Sequence, residues 1–171
     1  MIFVTVGHEL HFDRLIKAMD DWAVTAPNEK IFAQVGGIGD GGYKPHNFEF
    51  KDFINSEEFS RRFEEADIIV SHAGMGTIIT ALTMKKPIVI MPRKGSLRET
   101  RNDHQIATAE QFGKRNGVYV AADETELGQV MNTLHANPPE KISEAASKFA
   151  EPELIDAIRQ FIFRDDNEKT A

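Results

Sequence analysis

The segment SHAGMGT at residues 71–77 carries residue types that suit phosphate binding. Glycines let the backbone approach a ligand closely, and the free amides at a helix start, with the Thr77 hydroxyl, can hold a diphosphate. The same spacing fits a tight strand-to-helix turn in which glycine relieves crowding and His72 only packs. Because the segment is neither a Walker A loop nor a dinucleotide-binding GxGxxG motif, the pattern alone leaves both interpretations open.

A second candidate is the stretch from Arg93 to Gln105, which is locally basic in an acidic protein. Its positive side chains are Arg93, Lys94, Arg98 and Arg101. Positive charge beside a glycine turn suits a nucleotide diphosphate or an anionic acceptor, whereas a solvated surface loop needs no ligand.

The end of this stretch, NDHQ at residues 102–105, offers amide, carboxylate and imidazole groups that can hydrogen-bond sugar hydroxyls. Asn102 and Gln105 also have the spacing of a helix-capping pair. The run can therefore serve a ligand, the helix or both.

Two other loops follow apolar runs. In GHELH at residues 7–11, His8 could act as a general base oriented by Glu9, but we favour proximity to a ligand over catalysis. The loop GGIGDGG at residues 36–42 could be a lid, an acceptor contact or a connector, and we favour the connector.

Metal binding is not expected from this sequence. The six histidines show no HxxxH spacing, there is no cysteine, and no Asp-x-Asp pair presents two carboxylates. We therefore expect no cofactor and no metal requirement, with the ligand phosphates neutralised by amides, a helix dipole and basic side chains.

These candidate segments must be positioned by alternating strands and helices. Short apolar runs alternate with longer amphipathic ones, which predicts an α/β fold, a Rossmann-like parallel sheet with helices on both faces. Strands are predicted at residues 2–6, 30–35, 47–53, 67–70, 88–91 and 118–120, the first near the centre and the third nearer an edge. In such a sheet, ligands bind beyond the carboxyl ends of the strands, where the candidate residues lie.

The helices are predicted from apolar spacing and caps. One contains Leu15 to Ala23, one is capped by Ser56, one ends near Lys86, and one runs from about Asn102 to Lys114. Asp123 and Glu126 resemble a capping box for the next helix, and two helical stretches follow residues 138–139. We expect one domain over residues 1–163 and a polar, frayed tail at residues 164–171.

Composition limits the class of protein. A chain of 171 residues with 41% apolar content can bury one core but is too short for two nucleotide-binding lobes. A net charge of −7 gives no overall field for nucleic acid, and the lack of cysteine excludes disulfides. Without signal-peptide features or a long apolar run, we expect a cytosolic chain.

With these residues assembled, the chain resembles the C-terminal domain of glycosyltransferase family 28. The matching segments are FVTVG with FDRLI, then EEADIIVSHAGMGTIITAL, KKPIVIMPR and RNDHQ, in the family's order over about residues 1–115. It is most similar to the small stand-alone members that form one half of two-chain glycosyltransferases in N-glycan or exopolysaccharide assembly.

The resemblance implies the donor-binding half of a GT-B glycosyltransferase. Such a chain would bind a UDP-sugar and catalyse inverting hexosyl transfer to a lipid-linked acceptor held by a membrane-associated partner. It would then lie at the inner face of the membrane through that partner, and it could self-associate when isolated. The alternatives are a non-catalytic nucleotide-sugar-binding or regulatory module and, third, an epimerase or hydrolase of the same fold.

The resemblance also assigns residues to a site. Beside the diphosphate it places Gly74, Met75, Gly76 and Thr77, and beside the donor sugar it places Asn102, Asp103, His104 and Gln105. Gly7 and His8 would face the same cleft, Ser71 and His72 would support the phosphate turn, and Arg93 would add positive charge. His8 and His104 are the candidate catalytic bases, unless the partner supplies the base.

One position departs from the family pattern. Many members have a glutamate that grips the nucleotide ribose in the helix after the glycine turn, and the matching residue here is Thr80. A threonine cannot chelate two hydroxyls as a carboxylate does. Ribose recognition therefore needs another explanation in this chain.

Overall fold

The computed structural model describes residues 1–7, 11–37, 41–139 and 142, which form one parallel β-sheet covered by helices. The strands in this part of the chain are β1 (Ile2–Thr5), β2 (Ile31–Gln34), β3 (Glu49–Lys51), β4 (Ile68–His72), β5 (Ile88–Met91) and β6 (Val118–Val120). The α-helices there are α1 (Asp13–Thr25), α2 (Ser56–Glu65), α3 (Met75–Thr83), α4 (His104–Phe112) and α5 (Glu124–Ala136). A short 3₁₀ turn, Gly95–Leu97, lies between β5 and α4.

The strand order across the sheet is β3-β2-β1-β4-β5-β6, and each neighbouring pair is parallel. The chain moves outward from β1 to β3, returns to form β4 beside β1, and then moves outward in the other direction. This order confirms the predicted Rossmann-like α/β fold, with the first strand in the interior and the third at an edge. The order reverses between β1 and β4, and a ligand crevice forms at such a point.

Helices α1 and α5 cover one face of the sheet. Leu15 and Met19 of α1 and Leu127 and Met131 of α5 belong to one buried cluster with Val4 of β1. The apolar residues of α1 recur every three or four positions, so they form one stripe that the sheet can bury. These contacts fix the start of α1 close to the end of β1.

Helices α2, α3 and α4 cover the opposite face. Phe3 points to this side because successive strand residues alternate between faces, and it shares a second buried cluster with Phe63 and Ile78. The Phe3 ring meets Phe59 and Phe63 edge to face, with centroids 5.4 Å and 6.2 Å apart. Burial on both faces explains why the inner strands read as uninterrupted apolar runs.

Two helix starts differ from the prediction. The cap of α2 is Asn55, not Ser56, because the Asn55 side chain accepts a hydrogen bond from the Glu58 amide at 2.8 Å. Helix α4 begins at His104 and not near Asn102, because the preceding residues belong to a loop.

The predicted cap of α5 is confirmed. Asp123 accepts hydrogen bonds from the Thr125 and Glu126 amides at 2.9 and 3.0 Å. The Glu126 carboxylate accepts from the Ala122 amide, one residue earlier than in a standard capping box.

The segment after the glycine-rich loop is fixed to α1 by a buried carboxylate. Asp20 accepts hydrogen bonds from the Tyr43 hydroxyl at 2.7 Å and from the His46 and Asn47 amides at 3.0 and 2.8 Å. Burial acts to raise the pKa of Asp20, but these hydrogen bonds outweigh it and lower the pKa. The hydrogen bond to Asp20 raises the pKa of the Tyr43 hydroxyl to about 12. Residues 41–47 therefore serve as a structural connector, whereas residues 38–40 lie outside the described part.

The predictions for the C-terminal part also lie outside the described residues. These are the two helical stretches after residues 138–139, the domain limit at residue 163 and the polar tail. They stay predictions.

Candidate functional site

The crevice beyond β1 and β4 is bordered by two glycine-containing turns. Thr5 of β1 lies beside Ser71 of β4 in the sheet register, so the segments that follow them emerge side by side. The chain leaves β1 through Gly7, whose φ is +83°, and it leaves β4 through Gly74, which precedes α3. The structure thus brings together two candidate segments that are far apart in sequence.

The His72 ring fills the space between these two turns. A Cβ atom on Gly7 would lie 2.9 Å from His72 Cε1, and one on Gly74 would lie 2.3 Å from Nε2. Packing against His72 therefore accounts for Gly74, as the structural interpretation of the segment 71–77 expected, and the same ring crowds Gly7. It does not account for Gly76, because a Cβ atom there would meet nothing within 4 Å.

The start of α3 presents unpaired backbone amides. Its first intrahelical hydrogen bond runs from the Ile78 amide to the Gly74 carbonyl at 3.1 Å, and no side chain caps the helix. Within the described residues, the amides of Met75, Gly76 and Thr77 have no acceptor. Such amides, with the positive end of the helix dipole, favour an anion.

His72 is neutral at physiological pH. Burial is the main cause that lowers its pKa to about 4, and the charge of Arg93 acts in the same direction, against a smaller opposing effect of the Thr5 backbone. The buried Nδ1 atom completes no hydrogen bond with the described residues. A neutral ring behind the α3 amides supports the turn without adding charge.

A cleft of about 520 Å³ opens beside these amides. Its walls include residues of both turns, of the end of β2 and of the start of α2, namely Thr5, Gly7, Gln34, Ile54, Asn55, Ser56, Phe59, Gly76, Thr77 and Thr80. The wall is apolar near Ile54 and Phe59 and polar near α3. This combination suits a ligand that has both a flat or apolar part and an anionic part.

Thr80 lines the cleft, and its hydroxyl already donates a hydrogen bond within the protein. Its Oγ1 donates to the Gly76 carbonyl at 2.8 Å, within the same helix. The hydroxyl can therefore accept a hydrogen bond from a ligand but cannot donate one in this conformation.

Arg93 lies below the crevice and is 4% exposed. Its guanidinium donates to the carbonyls of His11 at 2.8 Å and Val6 at 3.0 Å, on both sides of the β1 turn. It also donates to the Glu99 carbonyl at 3.3 Å. In this arrangement Arg93 ties the loop after β5 to the loop after β1, and its charge reaches the site from beneath.

The loop after β5 is clamped a second time through Glu99. Arg14 of α1 forms a two-point contact with the Glu99 carboxylate, with N–O distances of 2.9 and 2.8 Å, and both side chains are largely buried. This contact raises the pKa of Arg14 against the opposing effect of burial. Glu99 also accepts from the Lys94 amide at 2.8 Å. The basic stretch is therefore an ordered loop.

The four residues NDHQ do not all face solvent. Gln105 is 6% exposed, and its side-chain carbonyl accepts from the Arg93 amide at 3.1 Å, so the predicted capping pair with Asn102 does not form. Asp103 accepts from the Gly95 amide at 2.8 Å. Asn102 and His104 are exposed at the start of α4.

His104 is held in one tautomer. Asn102 Oδ1 accepts from the His104 amide at 3.2 Å and contacts His104 Nδ1. Because a carbonyl oxygen only accepts, Nδ1 donates in this contact, and Nε2 is the ring nitrogen that this contact does not use. This is the arrangement that a general base requires.

Three predicted site residues remain, and each lies in a different environment. Ser71 is fully buried and donates to the His72 carbonyl at 2.7 Å, so it supports the turn from inside. Met75 is exposed at the start of α3. His8 lies outside the described residues.

Sequence reasoning missed the part of the cleft formed by β2 and α2. Gln34 ends β2 and Asn55 precedes α2, and both line the cleft. A polar residue that closes an apolar strand was the available signal at Gln34. No local pattern indicated that Ile54 and Phe59 would meet it.

A larger groove of about 680 Å³ lies at the opposite edge of the sheet. It lies at the amino ends of the strands, beside Ile2, Ile68 and Pro87. Because ligands of open parallel sheets bind at the carboxyl ends, the smaller cleft is the candidate functional site.

Neither a metal centre nor a membrane-spanning helix is found in the part of the chain that the structure describes. No group of three or more His, Cys, Asp or Glu side chains there could hold a metal ion. No helix in the same ranges is long and apolar enough to span a membrane.

The family model of the glycosyltransferase family 28 C-terminal domain matches residues 1–160. Among curated proteins, the chain is similar to the UDP-N-acetylglucosamine transferase subunit ALG13 of Candida albicans, with 32% identity over 85 residues. That match covers 49% of this chain and 28% of the relative. The ALG13 subunit of Yarrowia lipolytica is 24% identical over 138 residues, covering 75% of this chain and 68% of the relative.

The fold has a close counterpart among solved structures. The NMR solution structure of ALG13 superposes with a TM-score of 0.59 at 16% identity, covering 94% of this chain and 93% of that one. At this identity the likeness concerns the fold alone. The chain spans only about a quarter of the length of the Candida relative.

Proposed function

The chain belongs to the glycosyltransferase family 28 C-terminal domain family, and we propose that it is the UDP-sugar-binding catalytic subunit of a two-chain glycosyltransferase. The observation that carries the proposal is the set of free amides at residues 75–77, which open onto a cleft of nucleotide size. The names of the relatives make UDP-N-acetylglucosamine the first donor to test.

We place the diphosphate at the start of α3. The amides of Met75, Gly76 and Thr77 would neutralise it, with help from the helix dipole. Gly76 leaves the space that a phosphate oxygen needs, since no atom of the described chain fills the position of its absent side chain. The nucleoside would extend toward Ile54 and Phe59 in the wall of the cleft. The sugar would extend away from them, toward α4.

The proposed reaction is an inverting transfer. An acceptor hydroxyl attacks the anomeric carbon of the sugar, the bond from that carbon to the diphosphate breaks, and UDP leaves. A base takes the proton of the hydroxyl, and His104 Nε2 is the candidate among the described residues. The α3 amides would stabilise the negative charge that develops on the leaving UDP.

The acceptor would come from a partner chain. The described residues form one sheet with one switch point in the strand order, and the proposal assigns the acceptor site to another protein surface. We propose a membrane-associated partner that presents a lipid-linked glycan, as in glycan or exopolysaccharide assembly. The chain would then act at the inner face of the membrane, without a metal ion.

A non-catalytic donor-binding or regulatory module is the second candidate. It is favoured by Thr80, whose hydroxyl donates to Gly76 and not to a ligand. An enzyme and a module of this kind would both bind UDP, and only the enzyme would transfer sugar when the partner is present.

Donor binding is tested by thermal unfolding with UDP and UDP-N-acetylglucosamine. A ligand at a hundredfold its Kd adds about 2.7 kcal/mol of stability. For a chain of this size that corresponds to a rise in Tm of roughly 5–10 °C. An unchanged Tm at saturating concentrations of both ligands would contradict donor binding by this chain.

Transfer is tested by co-expression with the membrane-associated partner and a radiolabelled donor. Label in the lipid fraction supports the enzyme, whereas donor binding without labelled lipid supports the module. Altered or hydrolysed sugar nucleotide from the single chain would indicate an epimerase or hydrolase.

A further inference from the structure

Gln34 is a polar residue at the end of an otherwise apolar buried strand. It is 1% exposed and lies beside Thr5 in the register of β1 and β2. An amide group buried without hydrogen-bond partners is costly, so each of its polar atoms needs a partner or another reason to be there.

The orientation of the Gln34 carboxamide is defined by one contact. Its Nε2 donates to the Gly7 carbonyl at 3.4 Å, and a carbonyl can only accept, so the nitrogen must face Gly7. The oxygen, Oε1, therefore faces the other way. It is buried and has no hydrogen-bond partner in the described residues.

This unpaired acceptor belongs to the wall of the cleft. Gln34 lines the cleft together with Thr77 and Thr80 of α3. The Thr80 hydroxyl proton is already used on the Gly76 carbonyl. Gln34 Oε1 and the Thr80 oxygen are therefore the acceptors that this part of the wall offers, and a hydroxyl group of a ligand can donate to them.

We infer that Gln34 is a specificity residue, and that its Oε1 accepts a hydrogen bond from a hydroxyl of the ribose next to the bound diphosphate. The inference rests on the proposed function. In a nucleoside diphosphate, the ribose hydroxyls are the donors closest to the phosphates. Oε1 is screened from solvent in the structure, so it reaches the ligand when the carboxamide turns toward the cleft on binding. Nε2 continues to donate to the Gly7 carbonyl and keeps the turn after β1 in place.

The test compares three ligands and three proteins. UDP, 2′-deoxy-UDP and 3′-deoxy-UDP are titrated into the wild type, Gln34→Met and Gln111→Met. The Gln34→Met variant keeps the length of the side chain but removes the acceptor. Gln111→Met makes the same change on an exposed position of α4, away from the cleft.

We expect one of the two deoxy ligands to bind the wild type and Gln111→Met about 3- to 10-fold more weakly than UDP, the value of one hydrogen bond. In Gln34→Met this difference should fall below about 2-fold, because the partner of the hydroxyl is absent. Equal penalties for the deoxy ligands in Gln34→Met and in the wild type would overturn the inference.

A second measurement needs no variant. The side-chain NH₂ signals of Gln34 in the wild-type protein are followed by NMR during the same titrations. We expect them to shift with UDP and to shift less with the deoxy ligand that lacks the relevant hydroxyl. If the amides of Gly76 and Thr77 shift while the Gln34 signals stay still, the proposed function survives and the role of Gln34 is refuted. If no signal responds to UDP, both fail.

Discussion

The imidazole ring of His72 occupies the space that a side chain on Gly74 would need, because a Cβ atom there would lie 2.3 Å from Nε2. Gly76, two residues later, faces open space. The two glycines of one short motif therefore have different roles. Gly74 is required by the packing of the protein itself, and Gly76 is available to a ligand.

This difference predicts opposite behaviour of two alanine variants. Gly74→Ala should lower the free energy of unfolding by about 1–3 kcal/mol through overpacking against His72. Gly76→Ala should leave stability unchanged, but its methyl group should weaken UDP binding at least several-fold. Urea denaturation and UDP titration measure the two effects. Equal destabilisation by both substitutions would contradict the assignment.

The clash itself can be checked by removing its partner. In a His72→Ala background, the cost of Gly74→Ala should shrink to the small penalty of losing a glycine helix cap, because the ring is no longer there. An unchanged cost in the double variant would show that His72 is not the cause.

The pH dependence of stability should report the buried His72. Its folded-state pKa is about 4 and its ordinary value is 6.5, so the unfolded chain binds a proton first as the pH falls. The stability that His72 contributes is complete above pH 6.5 and is lost between pH 6.5 and 4. From pH 7 to 4.5 the loss should be about 2 kcal/mol smaller in His72→Gln than in the wild type. Parallel stability curves for the two proteins would show that His72 titrates normally.

The Arg14–Glu99 contact should matter more than the neighbouring pair of Arg14 with Glu124. Glu99 is 14% exposed, whereas Glu124 is 53% exposed. Glu99→Gln should cost about 1–3 kcal/mol of stability and loosen the loop that carries Arg93. The matched change Glu124→Gln should cost less than about 1 kcal/mol. If urea denaturation gives similar costs, the buried contact does not order the loop.

Removal of the imidazole at His104 should affect turnover and spare donor binding. If Nε2 is the base, His104→Ala should lower kcat by about 10²- to 10⁴-fold in the presence of the partner, with the Kd for UDP within 2-fold. His135→Ala, an exposed histidine on α5 that pairs with Glu29, is the control. Transfer within a few-fold of the wild type would place the base on another residue or on the partner.

A chelator should leave transfer unchanged. The proposed site neutralises the diphosphate with amides and a helix dipole, so excess EDTA should alter the rate by less than 2-fold. Loss of activity with EDTA and recovery with Mg²⁺ would show that a metal ion bridges the phosphates.

Local pattern was enough to predict the fold. The short apolar runs at Ile2–Val4 and Ile88–Met91, bounded by turn residues, indicated strands covered on both faces, and the alternation around Glu49–Lys51 correctly indicated an edge. Glycine and capping residues marked the turns, as Asp123 did for α5. The candidate phosphate turn could be proposed from the sequence because its residue types lie next to one another in the chain.

The composition of the site could not be read in the same way, because its side chains meet partners that are distant in sequence. Arg93 reads as a free cation, yet it donates to Val6, 87 positions away, and Gln105 reads as a sugar ligand, yet it supports Arg93. Gln34 carries no local signal beyond its polarity.

By itself, then, the sequence determined the family, the strand and helix pattern and the glycine turn, since these depend on neighbours along the chain. Only the tertiary structure decided which polar atoms are satisfied within the protein and which are left for a ligand. That choice depends on how β1, β2 and β4 align in the sheet, and one strand cannot specify the partners that the others bring to it.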